Sequence, residues 1–350
     1  MDATLTTLAD HANAADAEPV WPAASWAALR EAGVLGWAIP CEFGGAGLGS
    51  LELLAGSERL AGACLTTCFI LSQRDAAVRR IRDSGNESLG RELLPPLARG
   101  ETFTTVGLSQ LTTSRQHTKP ALAARPDGSA VALDGFMPWV TGAPQADYFI
   151  TGAVLDDGRQ ILAALPADLA GVTVGRPLDL MALGGSLTAE VRCDGVRLDR
   201  RWLLAGPAEK VMATGRGGTG GLETSCLALG LPGAAVDYLT AEAASRPELR
   251  KGADQLEKSR QLLRQEMHQL ARQAGVTADA AAALRARANS LVLRATQAAL
   301  TAAKGAGFLR SHPAQRWARQ ALFFLVWSCP RPAAEAMLSY FSSAGDDLCP

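Results

Sequence analysis

The sequence predicts an α+β protein built in three successive parts: a helical domain over residues 1–101, a compact β-domain, barrel or sandwich, over 102–208, and a helical bundle over 209–350. Two observations carry this. Before residue 100 and again after Lys210 apolar side chains recur at helical spacing, as in Leu53, Leu54, Leu60, Leu65, Phe69 and Ile70. Between them the pattern changes to short period-two runs separated by Gly, Pro and Asp, the signature of a small all-β unit. With 350 residues, 48% of them hydrophobic, the chain can bury two or three cores.

In the first part, Trp26, Leu29, Val34 and Leu35 lead into the turn-rich Gly36–Ser50, whose glycines permit a tight path between helices. Leu51 to Ser72 reads as a buried helix. The run GNESLGRELLPPLARGE reads as a further short helix, closed at Pro95–Pro96 because proline cannot supply the helical N–H.

In the second part the predicted strands are VGLSQ, AVALDGF, DYFITGAV, QILAALP, VTVGRPL, TAEVRCDGVRL and WLLAGP. The central stretch is Leu133–Val154, read as two strands joined by a turn at Gly142, Ala143 and Pro144. On the second, Tyr148, Ile150, Ala153 and Val154 suit a half-buried pleated surface. On the first, alternation puts Trp139 and Thr141 on one face and Val140 on the other, so an indole and a hydroxyl share a surface. A core aromatic beside an ordinary strand threonine satisfies the same pattern.

The third part has helix signals over Leu227–Ser245, Asp254–Gln273 and Ala278–Ala303. Leu256, Leu263, Met267 and Leu270 form a stripe on the second. Ala288, Ala295, Ala299 and Ala302 leave room for a neighbouring helix against the third.

Composition excludes several roles. A formal net charge of −1 and no Lys/Arg run beyond two residues argue against nucleic acid. No apolar run reaches the roughly 18 residues of a membrane span. Met1–Ala17 lacks a secretory apolar core, so a cytoplasmic location is expected. The seven cysteines form no CxxC pair, which argues against a disulfide framework and a zinc site. Cys64 and Cys68 lie one helical turn apart and read as core. His268 and His312 read as structural or surface residues. The loop Gly215–Gly221 lacks the Gly-Lys-Ser/Thr of a phosphate cradle and reads as a domain connection.

Several motifs in order resemble the acyl-CoA dehydrogenase family. They are Phe43-Gly44-Gly45 with Gly47 and Gly49, then Gly85-Asn86-Glu87, Leu94-Pro95-Pro96-Leu97, Trp139-Val140-Thr141-Gly142, and Gly305, Gly307, Phe308, Pro313, Arg319 and Ala321 near the C-terminus. The resemblance runs from about Trp26 to Ala336. It implies FAD, with the isoalloxazine packed on Trp139, the Thr141 hydroxyl near its N5, and Leu108 and Ser109 on the first strand of the β-domain. Arg246 stands where the family places a flavin-phosphate arginine, though Leu249 and Arg250 replace the Phe-Gly that follows it. Other departures are Gln110-Leu111 for Glu-Pro, Ser114-Arg115 for Gly-Ser, Lys304 for a glycine and Thr301 for a glutamine.

The implied reaction takes the α-proton of an acyl thioester, such as acyl-CoA, with a carboxylate while the β-hydride leaves for flavin N5. A glutamate suits this when burial makes it more basic. The family's usual base position holds Ser328, which cannot serve. An alternative family position, at the start of the first C-terminal helix, falls on Glu223 in one register and on Gly220 in another. A helix N-terminal carboxylate stabilised by the macrodipole accounts for Glu223 equally well. The resemblance further implies an electron-transfer flavoprotein or another acceptor, and a homodimer or homotetramer. Two other readings stay open: a non-catalytic relative serving as an interaction or assembly subunit, and a flavin-dependent oxidase or monooxygenase, which needs no carboxylate at Ser328.

Overall fold

The computed structural model describes residues 1–112, 120–213, 221–273, 275–328 and 331–342. In chain order these form α1 (Asp2–Ala17), α2 (Ala23–Glu31), α3 (Ser50–Ala63), α4 (Leu65–Arg82), α5 (Glu87–Arg99), β1 (Thr104–Gly107), the one-turn α6 (Ser109–Thr112), and β2 (Leu122–Asp127). There follow β3 (Ala130–Val140), β4 (Tyr148–Leu155), β5 (Gln160–Pro166), β6 (Val172–Val174), β7 (Ala189–Asp199) and β8 (Leu203–Ala208). The chain then continues as α7 (Leu222–Glu242), α8 (Arg250–Ala271), α9 (Ala278–Ala303), α10 (Pro313–Phe323) and α11 (Arg331–Ser342). The helix–strand–helix succession is the expected one. Compactness divides the chain differently: one unit is Met1–Gly49 with Thr66–Gly218, the other Ser50–Leu65 with Thr219–Pro350. Helix α3 therefore folds with the C-terminal helices.

In the first unit the strands form one mixed sheet in the order β6-β7-β3-β2-β4-β5-β8, with β1 parallel to β4. Strands β3 and β4 are the two strands read in Leu133–Val154, joined through the turn at Gly142, but they do not pair with each other. β2 lies between them, antiparallel to β3 and parallel to β4. The segment VGLSQ is likewise only half strand, since the chain leaves β1 at Gly107 and turns into α6.

Helix α5 corrects another expectation by running through Pro95 and Pro96 to Arg99. Leu89, Leu93, Leu94 and Leu97 are all buried along it, and their burial at about 1.5–3 kcal/mol each outweighs the hydrogen bonds lost at the prolines. Its ends are set by Asn86, whose Oδ1 accepts from Leu89 N at 3.1 Å, and by Gly100 at φ 67°. Helix α1 and the break between α3 and α4 at Cys64 had no counterpart in the sequence reading.

The second unit is organised on α7, which buries residues on all sides and packs against α3, α8, α9 and α10. A helix apolar all round has to be central. Gly230 lets α3 come close, because a Cβ there would collide with the Glu58 carbonyl oxygen, and Gly62 opposes it on α3. On α9, Ala288, Ala295 and Ala299 are fully buried, as their small size anticipated.

The carboxylate of Glu58 on α3 is buried, at 5% exposure. Arg260 of α8 meets it at 3.0 Å and Arg264 at 2.5 Å. That bond holds the Arg264 guanidinium above its ordinary pKa. Burial pushes the neighbouring Glu257 carboxyl up, but hydrogen bonds from Arg260 and Gln261 outweigh it and leave the group below its usual 4.5. Two outcomes are expected in urea titrations. Glu58→Gln should cost about 3 kcal/mol, because it takes the carboxylate from Arg264 and leaves Arg260 with Glu257 alone, whereas Arg91→Gln at the exposed pair with Glu87 should cost under about 0.5 kcal/mol. The stability due to Glu257 is present above pH 4.5 and is lost as pH falls below it, so Glu257→Gln should flatten the acid limb of the curve there.

Candidate functional site

Four of the predicted residues meet at one corner of the sheet. Gly107, the last residue of β1, lies so close to β3 that a Cβ on it would meet Met137 Sδ at 2.5 Å and Val140 Cγ2 at 3.2 Å. This sets Leu108 and Ser109 beside the end of β3, where Trp139 and Thr141 stand. Gln110 locks the corner: its Nε2 donates to the carbonyls of Gly107 and Gly152, both at 2.9 Å, while Thr151 Oγ1 donates to Gly107 O at 2.9 Å. Leu108 and the Ser109 hydroxyl are buried. Ser114 and Arg115 lie outside the described residues.

Strand β3 does not carry its alternation to the end. Its register against β7 shifts between Met137 and Val140, and Val140 and Thr141 are both buried. Trp139 is 51% exposed, Thr141 only 4%. The indole is therefore open to solvent while the hydroxyl is closed off from it. The chain then turns at Gly142 (φ 67°), whose N–H donates to the Ser186 carbonyl at 2.7 Å.

That bond brings in two residues the sequence reading passed over. Thr141 Oγ1 lies 3.3 Å from Thr188 Oγ1, which lies 2.9 Å from Ser186 Oγ. All three hydroxyls are buried. The turn before β7 is fixed from below by α1. Asp16 Oδ1 accepts from Leu183 N at 2.9 Å, and a Cβ at Gly185 would lie 2.7 Å from the Ala15 carbonyl oxygen and 2.9 Å from that of Val20. Leu183 (φ 63°) and Leu187 (φ 46°) bracket the turn in left-handed conformations that cost bulky residues energy. The run Gly184-Gly185-Ser186-Leu187-Thr188 immediately ahead of a strand was the signal that could have found it.

The other two predicted residues belong to the second unit. Glu223 is exposed in the first turn of α7, and its carboxylate folds back so that Oε2 would meet a Cβ on Gly221 at 2.6 Å. That is the placement of an N-terminal charge on a helix dipole; Gly220, the other register's position, is outside the described residues. Arg246 is engaged, with Nη1 donating to the Ala302 carbonyl at 2.8 Å and Nη2 to Glu242 Oε2 at 2.5 Å. Beyond α10, Trp327 stacks on Phe323, with ring centroids 5.2 Å apart, and its carbonyl accepts from the buried Arg285 at 3.0 Å. Asn289 Nδ2 holds the Phe324 carbonyl at 2.9 Å. Ser328 follows at φ 43°, with Cys329 and Pro330 outside the described residues.

The donor set at the sheet corner fits the isoalloxazine of a flavin: an open indole face for stacking, beside buried hydroxyls that can donate or accept. The phosphate side fits less well, because Arg246 already spends its guanidinium within its own unit.

The sequence model of the acyl-CoA dehydrogenase N-terminal domain matches residues 3–101. A probable acyl-CoA dehydrogenase of Bacillus subtilis, YngJ, is 28% identical over 69% of this chain and 65% of its own length. Benzylmalonyl-CoA dehydrogenase of Aromatoleum aromaticum is 30% identical over 54% of this chain and 50% of its own. Butyryl-CoA dehydrogenase from Megasphaera elsdenii has the same fold, with a TM-score of 0.84 at 20% identity, covering 96% of this chain and 94% of that one.

Over residues 3–101 the chain matches the acyl-CoA dehydrogenase N-terminal domain, and it has the acyl-CoA dehydrogenase fold. Its alignments with the two curated relatives span about half to two thirds of their length. Against the acyl-CoA dehydrogenase pattern the C-terminal signature keeps its shape even where a residue changes. Lys304, in the family's glycine position, stands at φ 52° and ψ −145°, a conformation natural to glycine.

Two outcomes check this account of the site and its signature. Lys304→Gly should stabilise the second unit by about 1 kcal/mol, by relieving that strain. Gly185→Ala should cost the first unit about 2 kcal/mol by overpacking against α1. Both are read from urea unfolding.

Proposed function

We propose that this protein is an FAD-dependent oxidoreductase acting on the CH–CH group of an acyl thioester, with Trp139 and Thr141 against the isoalloxazine and Leu108 and Ser109 lining the same corner. The observation that carries the reading is the half-exposed indole of Trp139 next to the buried hydroxyl of Thr141. When bound, the flavin supplies the hydride acceptor. The chain's own residues stack on it, fix its orientation and exclude water from one side. Glu223 is the proposed base, and electrons leave for an electron-transfer flavoprotein or another acceptor. A cytoplasmic location belongs to the same reading; no described helix is long and apolar enough to cross a membrane.

Self-association is part of the proposal. The second unit exposes Phe308, Leu309, Val326, Leu338, Tyr340 and Phe341, and large apolar side chains exposed in such number mark interaction surfaces. A homodimer or homotetramer covers them, and light scattering after gel filtration checks this; a monomer at micromolar concentration would remove this part.

Specific observations favour a second reading, that of a non-catalytic relative kept for assembly. Ser328 stands at the usual base position, Glu223 is exposed, and Arg246 is committed to Glu242 and Ala302.

Flavin-loaded protein mixed anaerobically with a panel of acyl-CoAs separates the readings. On the first, the visible flavin bands bleach with at least one acyl-CoA, and Glu223→Gln slows bleaching at least about a hundredfold. Equal rates in the two proteins remove Glu223 from the role of base. Flavin binding without bleaching by any acyl-CoA defeats the dehydrogenase reading.

A further inference from the structure

We propose that Glu242 withdraws Arg246 from the phosphates of a bound flavin, so that the chain holds its cofactor by the isoalloxazine end and takes FMN nearly as tightly as FAD. The inference rests on the reading of Trp139 and Thr141 as a flavin cradle and concerns the opposite end of the cofactor.

A guanidinium recruits phosphate in two ways, by its charge and by a planar fork of N–H groups that meets two oxygens at once. Both are committed at Arg246. Nη2 donates to Glu242 Oε2 at 2.5 Å and Nη1 to the Ala302 carbonyl at 2.8 Å, so each terminal nitrogen of the fork has its own acceptor. The Glu242 carboxylate also cancels the charge. The backbone keeps the pair in register, because Arg246 N donates to the Glu242 carbonyl at 2.9 Å just past the end of α7. With the Arg246 and Glu242 side chains 24% and 35% exposed, the pair is only partly screened by water.

The local field has the same sign. The Tyr238 hydroxyl, one turn before Glu242 on α7, is pushed above its ordinary 10.0, first by burial and next by the Glu242 carboxylate, and Arg246 opposes with the smaller effect. At that hydroxyl the carboxylate outweighs the guanidinium. To serve a diphosphate Arg246 would have to release Glu242 and leave that anion beside further negative charge, and like charges at such range repel.

Thr301 adds a second departure on α9. It stands where the family pattern has a glutamine, and its hydroxyl donates to the Gln297 carbonyl at 2.9 Å, which leaves no proton for a ligand. The ring end has no such conflict. Trp139 is half-exposed, and it lies in the other compact unit from Glu242, Arg246 and Thr301.

A charge-assisted hydrogen bond to phosphate is worth roughly ten- to a hundredfold in affinity, which sets the scale of the test. Dissociation constants of FAD and FMN are measured by isothermal titration calorimetry on the flavin-free full chain. Wild type is compared with Trp139→Ala, Arg246→Met, Glu242→Gln, Lys304→Met and the double variant Glu242→Gln/Arg246→Met. In wild type FMN should bind within about tenfold of FAD, and Arg246→Met should leave the FAD constant within about twofold. Glu242→Gln returns the charge and Nη2 to Arg246 and should tighten FAD about tenfold, a gain that the double variant loses. The proposal is overturned if wild type prefers FAD by more than about tenfold, if Arg246→Met weakens FAD by about tenfold, or if Glu242→Gln leaves FAD unchanged. Lys304 is an exposed cation two residues past Ala302. A loss of about tenfold in Lys304→Met for FAD alone also overturns the proposal, because the phosphate end would then be held from that position. Wild type that binds neither flavin, or Trp139→Ala that weakens neither, defeats the cradle reading and this inference with it. If Arg246→Met does not fold, the wild-type ratio and Glu242→Gln decide the case.

Discussion

The hydrogen bond from Gly142 N to the Ser186 carbonyl, at 2.7 Å, is the constraint from which the geometry of the sheet corner follows. It lies just past the last paired residues of β3 and β7, Val140 and Ala189, where ladder hydrogen bonds no longer hold the two chains together. Without it Thr141 and Thr188 would belong to two separate loops. With it, two segments distant in sequence present three hydroxyls in a row. The bond in turn depends on the preceding turn. Gly184 and Gly185 sit against the backbone of the end of α1, and Asp16 fixes Leu183 from the same helix. The left-handed strain at Leu183 and Leu187 persists because this surrounding structure over-determines it.

The second unit solves a different problem with a similar device, a buried charge satisfied by fixed partners. Glu58 ties α3 to α8 through two guanidinium groups, and the glycine contact at Gly230 brings α3 onto α7. Arg285 lies between the rings of Phe324 and Trp327, 5.4 and 5.5 Å from their centroids, and holds the Trp327 carbonyl. The backbone ahead of Ser328 is thus held by α9.

What the sequence made legible follows the reach of local rules. The ends of α9 fall at Ala278 and Ala303 as the alanine-rich helical pattern indicated, and Thr277 closes its start, accepting from Ala280 N at 3.2 Å. Trp139 and Thr141 stand out in the sequence because they belong to a compact motif, Trp139-Val140-Thr141-Gly142. The pairing of β3 with β2 and β7 was not legible, since period two says which residues lie in strands and nothing about which strand lies alongside. Pro95 and Pro96 misled because local propensity was set against the burial of four leucines and lost. Ser186 and Thr188 were missed because their contact with Thr141 exists only after β3 and β7 are adjacent.

The departures from the family pattern are not scattered. Those at the sheet corner are compensated: Gln110 replaces a glutamate and still ties β1 to β4 through Gly107 and Gly152. Those bearing on proton abstraction are not compensated in the same way. A base for a weakly acidic C–H has to be shielded from water, yet Glu223 is exposed in the first turn of α7. The residues that the resemblance assigns to the flavin ring, Leu108, Ser109, Trp139 and Thr141, thus lie in one compact unit, and the carboxylate that it assigns to proton abstraction, Glu223, lies in the other.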